Sequence, residues 1–162
     1  MDPQPHSPAA RPSEDPEIAA RRAAMALYAE AHASELALGL AALPTCPAYS
    51  EIRPAETGLM MVRGRIGGDG APFNLGEATV TRCAIQLVTG EIGISHVLGR
   101  DREKARLAAL FDALWQTGAF RPAIERDVLA PLRARCEDAH NLEAARTAAT
   151  KVDFFTLVRG DN

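Results

Sequence analysis

Between residues 14 and 43 the apolar positions recur at helical spacing. Ala20, Ala24, Leu27, Tyr28 and Ala31 share one face and predict a helix from an N-cap at Ser13 to about His32. Glu14, Asp15 and Pro16 stand in its first turn, where the helix dipole favours acids. Ser34 restarts a second, shorter helix carrying Leu36, Leu40 and Leu43, which Pro44 and Pro47 end. From Tyr49 to Leu98 the period changes to two, and nine of the 12 glycines fall between Gly58 and Gly99, which marks β structure. Thr57 to Ile66 sets Leu59, Met61, Arg63 and Arg65 on one face and Met60, Val62, Gly64 and Ile66 on the other, the second being the better core candidate. Phe73 to Val88 is long for one strand, and Gly76 beside Glu77 suggests a bulge near its start. Thr89 and Gly90 then turn the chain into Ile92 to Leu98, completing an antiparallel meander with a hairpin at its end.

The pattern becomes helical again after Asp101, a predicted N-cap. Leu107, Leu110, Phe111, Leu114 and Trp115 repeat at i, i+3, i+4, i+7 and i+8, and Gly118 is expected to stop this helix. A last helix is predicted from Val128 to Thr150, with Pro131 in its first turn and Leu129, Leu132, Cys136 and Ala139 facing inward. Val152 to Val158 reads either as a strand of the same sheet or as an arm for a partner. Phe154, Phe155, Leu157 and Val158 are too apolar for an idle terminus. Helices, then strands, then helices define an α+β fold: an antiparallel β-sheet flanked by N-terminal and C-terminal helices in a single domain over residues 14–162. Residues 1–13 hold four prolines and almost nothing large to bury, and are expected to form a disordered tail.

Composition narrows the function classes. The 162 residues carry 18 Lys+Arg against 21 Asp+Glu, a net charge of -3, which suits one ordinary soluble domain and argues against a nucleic-acid partner. Only Lys104 and Lys151 among the cations are lysines. An arginine surplus permits bidentate contacts to phosphate or carboxylate, and genome composition would produce the same bias. Cys46, Cys83 and Cys136 form no CxxC pair, no secretory signal pattern opens the sequence, and no apolar run approaches the roughly 18 residues of a membrane span. The expected compartment is therefore the cytoplasm, with reduced thiols and no membrane partner.

Few residues group into a recognisable chemistry. Gly67, Gly68, Asp69 and Gly70 could turn backbone N–H groups toward a phosphate, but no helix or Lys-Ser/Thr follows, so a hairpin connection is the stronger reading. Cys136 and His140 lie four apart with Glu143 beyond them; lacking a second ligand pair, they predict no metal. His96 reads as a packed or interface histidine before a base, and Cys83 as core. No Ser or Cys has the sharp-turn context of a nucleophile, so the catalytic residues are unassigned. Arg63, Arg65, Glu77, Arg82 and Arg100 are the candidates for binding a substrate anion or an acidic protein surface. The competing view is a solvated face with local pairs to Glu77 and Glu91.

Three blocks carry a resemblance. ETGLMMVRGRIGGDGAPFNLGEATVTRCAIQL (Glu56 to Leu87), GRDREKARLAALFDALWQ (Gly99 to Gln116) and ATKVDFFTLVRGDN (Ala149 to Asn162) together resemble the PhnG subunit family of the bacterial carbon-phosphorus lyase system. The resemblance spans about Tyr28 to the C-terminus and excludes the proline-rich start. It implies a cytoplasmic core complex with PhnH, PhnI and PhnJ that serves organic phosphonate catabolism. The implied step replaces the adenine of ATP by methylphosphonate, giving α-D-ribose 1-methylphosphonate 5-triphosphate. ATP is then a substrate of the complex, and this chain has no cofactor of its own. The nucleosidase-like activity is associated with PhnI, which implies an accessory or co-catalytic role here. Cys83 and His96 stand where the family has other residues, and no role is carried onto either. The alternative is a stand-alone domain binding a nucleotide or phosphorylated ligand.

Overall fold

In the computed structural model, residues 15–67 and 69–150 are described. Helix α1 (Pro16–Glu30) starts at Asp15, whose carboxylate accepts the Glu17 N–H at 2.9 Å. Ser13, the expected cap, lies outside the described residues. Helix α2 (Ala33–Ala42) starts from His32, two residues before the predicted Ser34, because Glu35 reaches back to accept the His32 N–H at 2.7 Å. Three strands follow, β1 (Tyr49–Arg65), β2 (Pro72–Leu87) and β3 (Ile92–Leu98), in the antiparallel order β1-β2-β3. The predicted bulge is present: Val62 faces Gly76 while Arg63 faces Asn74, leaving Leu75 as the extra residue of β2. Gly90, at φ +108°, makes the turn between β2 and β3.

Helix α3 (Arg102–Trp115) is capped by Asp101, which accepts the Lys104 N–H at 2.8 Å. It is more than amphipathic. Ala105 and every residue from Leu107 to Trp115 are buried, because the sheet covers one side and α1, α2 and the start of the C-terminal helices cover the rest. The apolar stripe revealed one face, while Ala105, Ala108, Ala109 and Ala113 supply a second whose small side chains let neighbours approach closely. At Gly93 the approach is so tight that a Cβ would lie 2.0 Å from the Ala109 carbonyl oxygen and 2.4 Å from the Ala113 nitrogen. Gly118 does not stop α3 through a left-handed turn, for the helix ends at Trp115 and positive φ among the described residues is confined to Gly67, Gly90 and Gly99.

The last helical stretch starts earlier than predicted and in three pieces. Helix α4 (Arg121–Ile124) enters a π turn (Glu125–Leu129) and then α5 (Ala130–Ala149). The π turn brings Glu125 to the indole Nε1 of Trp115 at 2.7 Å, and Arg121 stacks on the same ring 3.8 Å from its centre. Leu129 and Leu132 are buried as expected, but Cys136 is only half-buried and Ala139 is exposed. Beyond Cys136 α5 leaves the core, since its sequence turns polar and no apolar stripe continues.

One buried carboxylate joins three elements. Asp112 accepts from Arg21 of α1 through both oxygens, at 2.9 and 2.8 Å, and from the Ile94 N–H of β3 at 2.9 Å. Arg21 also donates to the Ile92 carbonyl, as does Gln116. The outer edge of β3 is thereby closed by side chains over Ile92 and Ile94. The Arg21 guanidinium is held more firmly protonated by the Asp112 hydrogen bonds.

Candidate functional site

The remaining buried polar side chains are also committed to the fold. Thr81 donates to the Gly99 carbonyl at 2.7 Å and meets the Thr57 hydroxyl at 3.0 Å, while Ser95 donates to the Ala105 carbonyl at 2.6 Å. With Asp112, these buried hydroxyl and carboxylate groups join elements of the fold, whereas the hydroxyl of buried Tyr28 has no hydrogen-bond partner among the described residues. Among the described residues Thr89 donates to Glu91 in the exposed turn after β2 and Cys136 hydrogen-bonds Glu30, but burial holds that thiol protonated rather than activated. No group of three metal-ligating side chains forms among the described residues. Cys136 and His140 do line one groove, about 670 Å³ between α1 and α5, with Glu30 as a further polar wall; Glu143 is not part of it.

The candidate arginines do not share a face. Arg63 and Arg65 alternate with Leu59 and Met61 on the side of β1 that carries Thr57, and they line an open depression of about 540 Å³ with Gly64 and Pro72. Arg82 points to the other side, its Nε donating to Glu56 at 2.9 Å, and Arg53 approaches the same carboxylate at 3.5 Å. Arg82 pairs in register with Glu56, and Arg63 with Asn74, eight strand residues away and so roughly 26 Å along β2. The local partner of Arg82 is Glu56, and neither Glu77 nor Glu91 serves it. Arg65 donates to the Gly70 carbonyl at 3.0 Å and braces the turn after β1. Glu77 lies opposite Met61. The Gly99 N–H donates to the Thr79 carbonyl at 2.9 Å, and Arg100 follows in the bend just beyond the end of β3. Arg63 and Arg100 are exposed and have no ion pair among the described residues. His96 is exposed opposite Arg82 and borders a shallow, mainly apolar hollow of about 260 Å³ between β3 and α1. Phe154, Phe155, Leu157 and Val158 lie outside the described residues.

What the sequence reading missed is the outer half of the β1–β2 hairpin. β3 pairs with β2 only from Val80 to Gln86, so among the described residues the ribbon from Gly58 to Ala78 runs on with no third strand. The expected core face of Met60, Val62, Gly64 and Ile66 is not buried. Met60 is 52% exposed and Ile66 75%, and on the other face Leu59 is 68% and Met61 48% exposed. The signal was present, because a strand apolar on both alternating faces needs cover on both sides, and the three strands and helices of the described residues do not supply it.

The cysteines behave as core or inert thiols. Burial pushes the Cys83, Cys136 and Cys46 thiols up from their ordinary value, and the Glu51 carboxylate adds to this at Cys83. At pH 7 all three are therefore protonated, and alkylation of the native protein by iodoacetamide should need a higher pH than alkylation of the unfolded chain. Exposed Cys46 should react first and Cys83, 2% exposed, last. Rapid labelling of Cys83 at pH 7 contradicts this assignment.

Dispersed surface arginines and an apolar ribbon left bare among the described residues describe an assembly subunit. The comparisons agree. The chain matches the family described as phosphonate metabolism protein PhnG over residues 19–160. It is 49% identical over 154 residues to the alpha-D-ribose 1-methylphosphonate 5-triphosphate synthase subunit PhnG of Rhizobium meliloti (strain 1021), covering 95% of this chain and 98% of that protein. The chain belongs to the PhnG family. Among the described residues no helix is long and apolar enough to cross a membrane.

Proposed function

We propose that this chain is the PhnG-type subunit of a synthase that joins ATP and methylphosphonate into α-D-ribose 1-methylphosphonate 5-triphosphate, with adenine as the leaving group. The observation that carries this reading is near full-length identity of 49% to a protein bearing that name. PhnH, PhnI and PhnJ are the proposed partners, in a cytoplasmic complex of organic phosphonate catabolism.

The reaction sets requirements against which the residues can be measured. Displacing adenine at C1′ passes through an oxocarbenium-like state that needs an acid at the purine, stabilisation at the sugar, and cations for the triphosphate and phosphonate. No constellation among the described residues meets them together. Its contribution is to position the partner that does, with an arginine lent to substrate as the largest chemical part it takes. Arg100 is the best placed for that part, being exposed with no ion pair among the described residues, whereas Arg82 is already matched by Glu56. Arg100→Ala should leave assembly intact and raise KM for ATP in the assembled synthase about tenfold, the worth of one charge-assisted contact. An unchanged KM removes Arg100 from the substrate site.

The subunit role is tested by deleting the gene for this chain and supplying methylphosphonate as sole phosphorus source. Growth should stop and return with the native gene, while growth on inorganic phosphate is unaffected. Undiminished growth on methylphosphonate overturns the proposal. A stand-alone ligand-binding domain is the second reading, favoured only by the depression lined by Arg63 and Arg65. It predicts that ATP alone raises the melting temperature of the isolated chain.

A further inference from the structure

The two outer edges of the sheet are treated differently. At β3, Ile92 and Ile94 are closed by Arg21, Gln116 and Asp112. The outer edge of the β2 ribbon is broken by Pro72 and by the bulge at Leu75, two common protections against strand addition. The edge of β1 from Gly58 to Val62 has neither. It holds no proline, no charge and no bulge of its own, and its residues Leu59, Met60, Met61 and Val62 are 39–68% exposed.

The ribbon that carries this edge is incomplete by itself. A two-stranded ribbon is marginally stable in water, and exposed apolar patches on monomeric proteins seldom exceed a few hundred Å². Here Leu59, Met60, Met61, Val62, Phe73 and Leu75 are all 39–68% exposed on one projection, with Ile66 at its turn 75% exposed. At roughly 100 Å² per side chain these sum to about the 800 Å² that one partner contributes to a standard interface. Beside them, Arg63 and Arg65 face an open depression, and Arg63 has no carboxylate among the described residues.

Resting on the subunit reading, we propose that the β1–β2 ribbon is the arm by which this chain docks onto another subunit of the synthase, which adds a strand along Gly58–Val62, covers the apolar side chains in a cleft, and sets acidic residues against Arg63 and Arg65. The occupant is a different chain with an apolar, acid-rimmed cleft. Main-chain pairing supplies affinity, alternate side chains supply register, and the arginines supply orientation.

The experiment is co-purification of this full-length chain with the co-produced synthase subunits, followed by size-exclusion chromatography with light scattering. Met60→Asp/Val62→Asp changes only exposed positions, so circular dichroism and melting temperature should stay native while complex recovery falls at least tenfold. Arg63→Glu should lower recovery about tenfold, more so at low salt. Leu98→Asp and Leu142→Asp, at exposed positions off the ribbon, should assemble like the native chain. Native recovery with Met60→Asp/Val62→Asp overturns the arm and leaves the subunit reading standing. Failure of the native chain itself to co-purify overturns both. Normal assembly of Arg63→Glu with a raised KM for ATP reassigns the depression to substrate and overturns the acidic rim. A ribbon-dependent homodimer that binds no other subunit overturns the proposal in favour of a second copy.

Discussion

Gly93→Ala should unfold at a much lower urea concentration than the native chain, with a loss of about 3 kcal/mol or more. The added methyl group would lie 2.0 Å from the Ala109 carbonyl oxygen, 2.4 Å from the Ala113 nitrogen and 2.8 Å from the Ala113 Cβ, and all three belong to the backbone or first carbon of α3. No rotamer change can relieve that contact, so the helix must move off the sheet. Movement of α3 loosens the whole core, since Phe111, Leu114 and Trp115 are fully buried on it. Trp115, the sole tryptophan, reports the transition by its fluorescence. Gly76→Ala, where nothing lies within 4 Å of the new Cβ, should change stability by well under 1 kcal/mol and serves as the control. Equal midpoints for Gly93→Ala and native protein contradict the close approach.

Asp112→Ala should cost about 3 kcal/mol for a different reason. The carboxylate is 1% exposed and receives three hydrogen bonds, so its removal leaves the part-buried Ile94 N–H without its acceptor and Arg21 without its ion pair. Because the Arg21 side chain is 34% exposed, water compensates part of its loss, and the penalty stays at the lower end of the range for buried pairs. Asp112→Asn keeps one acceptor and should lose about half as much. A further consequence concerns aggregation. Without Asp112 the edge of β3 loses its cover at Ile94 and becomes a second site for strand addition, so the variant should self-associate on partial denaturation. Native-like stability of Asp112→Ala would show that Arg21 and Ile94 find other partners.

Elements built from a local pattern were legible in the sequence, and those set by what covers a surface were not. The cap at Asp101, the bulge near Gly76 and the turn at Gly90 follow from single residues whose preferences are strong. Helix α3 was recognised by its stripe, yet its enclosure was not, since Ala105, Ala109 and Ala113 read equally well as a solvent face. Asp112 could have been noticed as a lone charge between Phe111 and Ala113 in an apolar run. The opposite failure occurred on β1, where Met60 and Val62 were expected in the core although no element among the described residues covers them. Period-two alternation shows which side chains share a face, but it says nothing about whether that face meets the protein's own core. The arginines illustrate the same limit: Arg63, Arg65 and Arg82 seemed one group on paper, and strand alternation with a long hairpin separates them.

The central claim is that this chain is a subunit required for forming the ribose phosphonate product. Its most direct test is adenine release from ATP and methylphosphonate by the co-purified partner subunits, with and without this chain, reading the sugar product by phosphorus NMR. The account predicts α-D-ribose 1-methylphosphonate 5-triphosphate only when the chain is present, and free ribose triphosphate or no turnover when it is absent. The same phosphonate product at the same rate without the chain would contradict it.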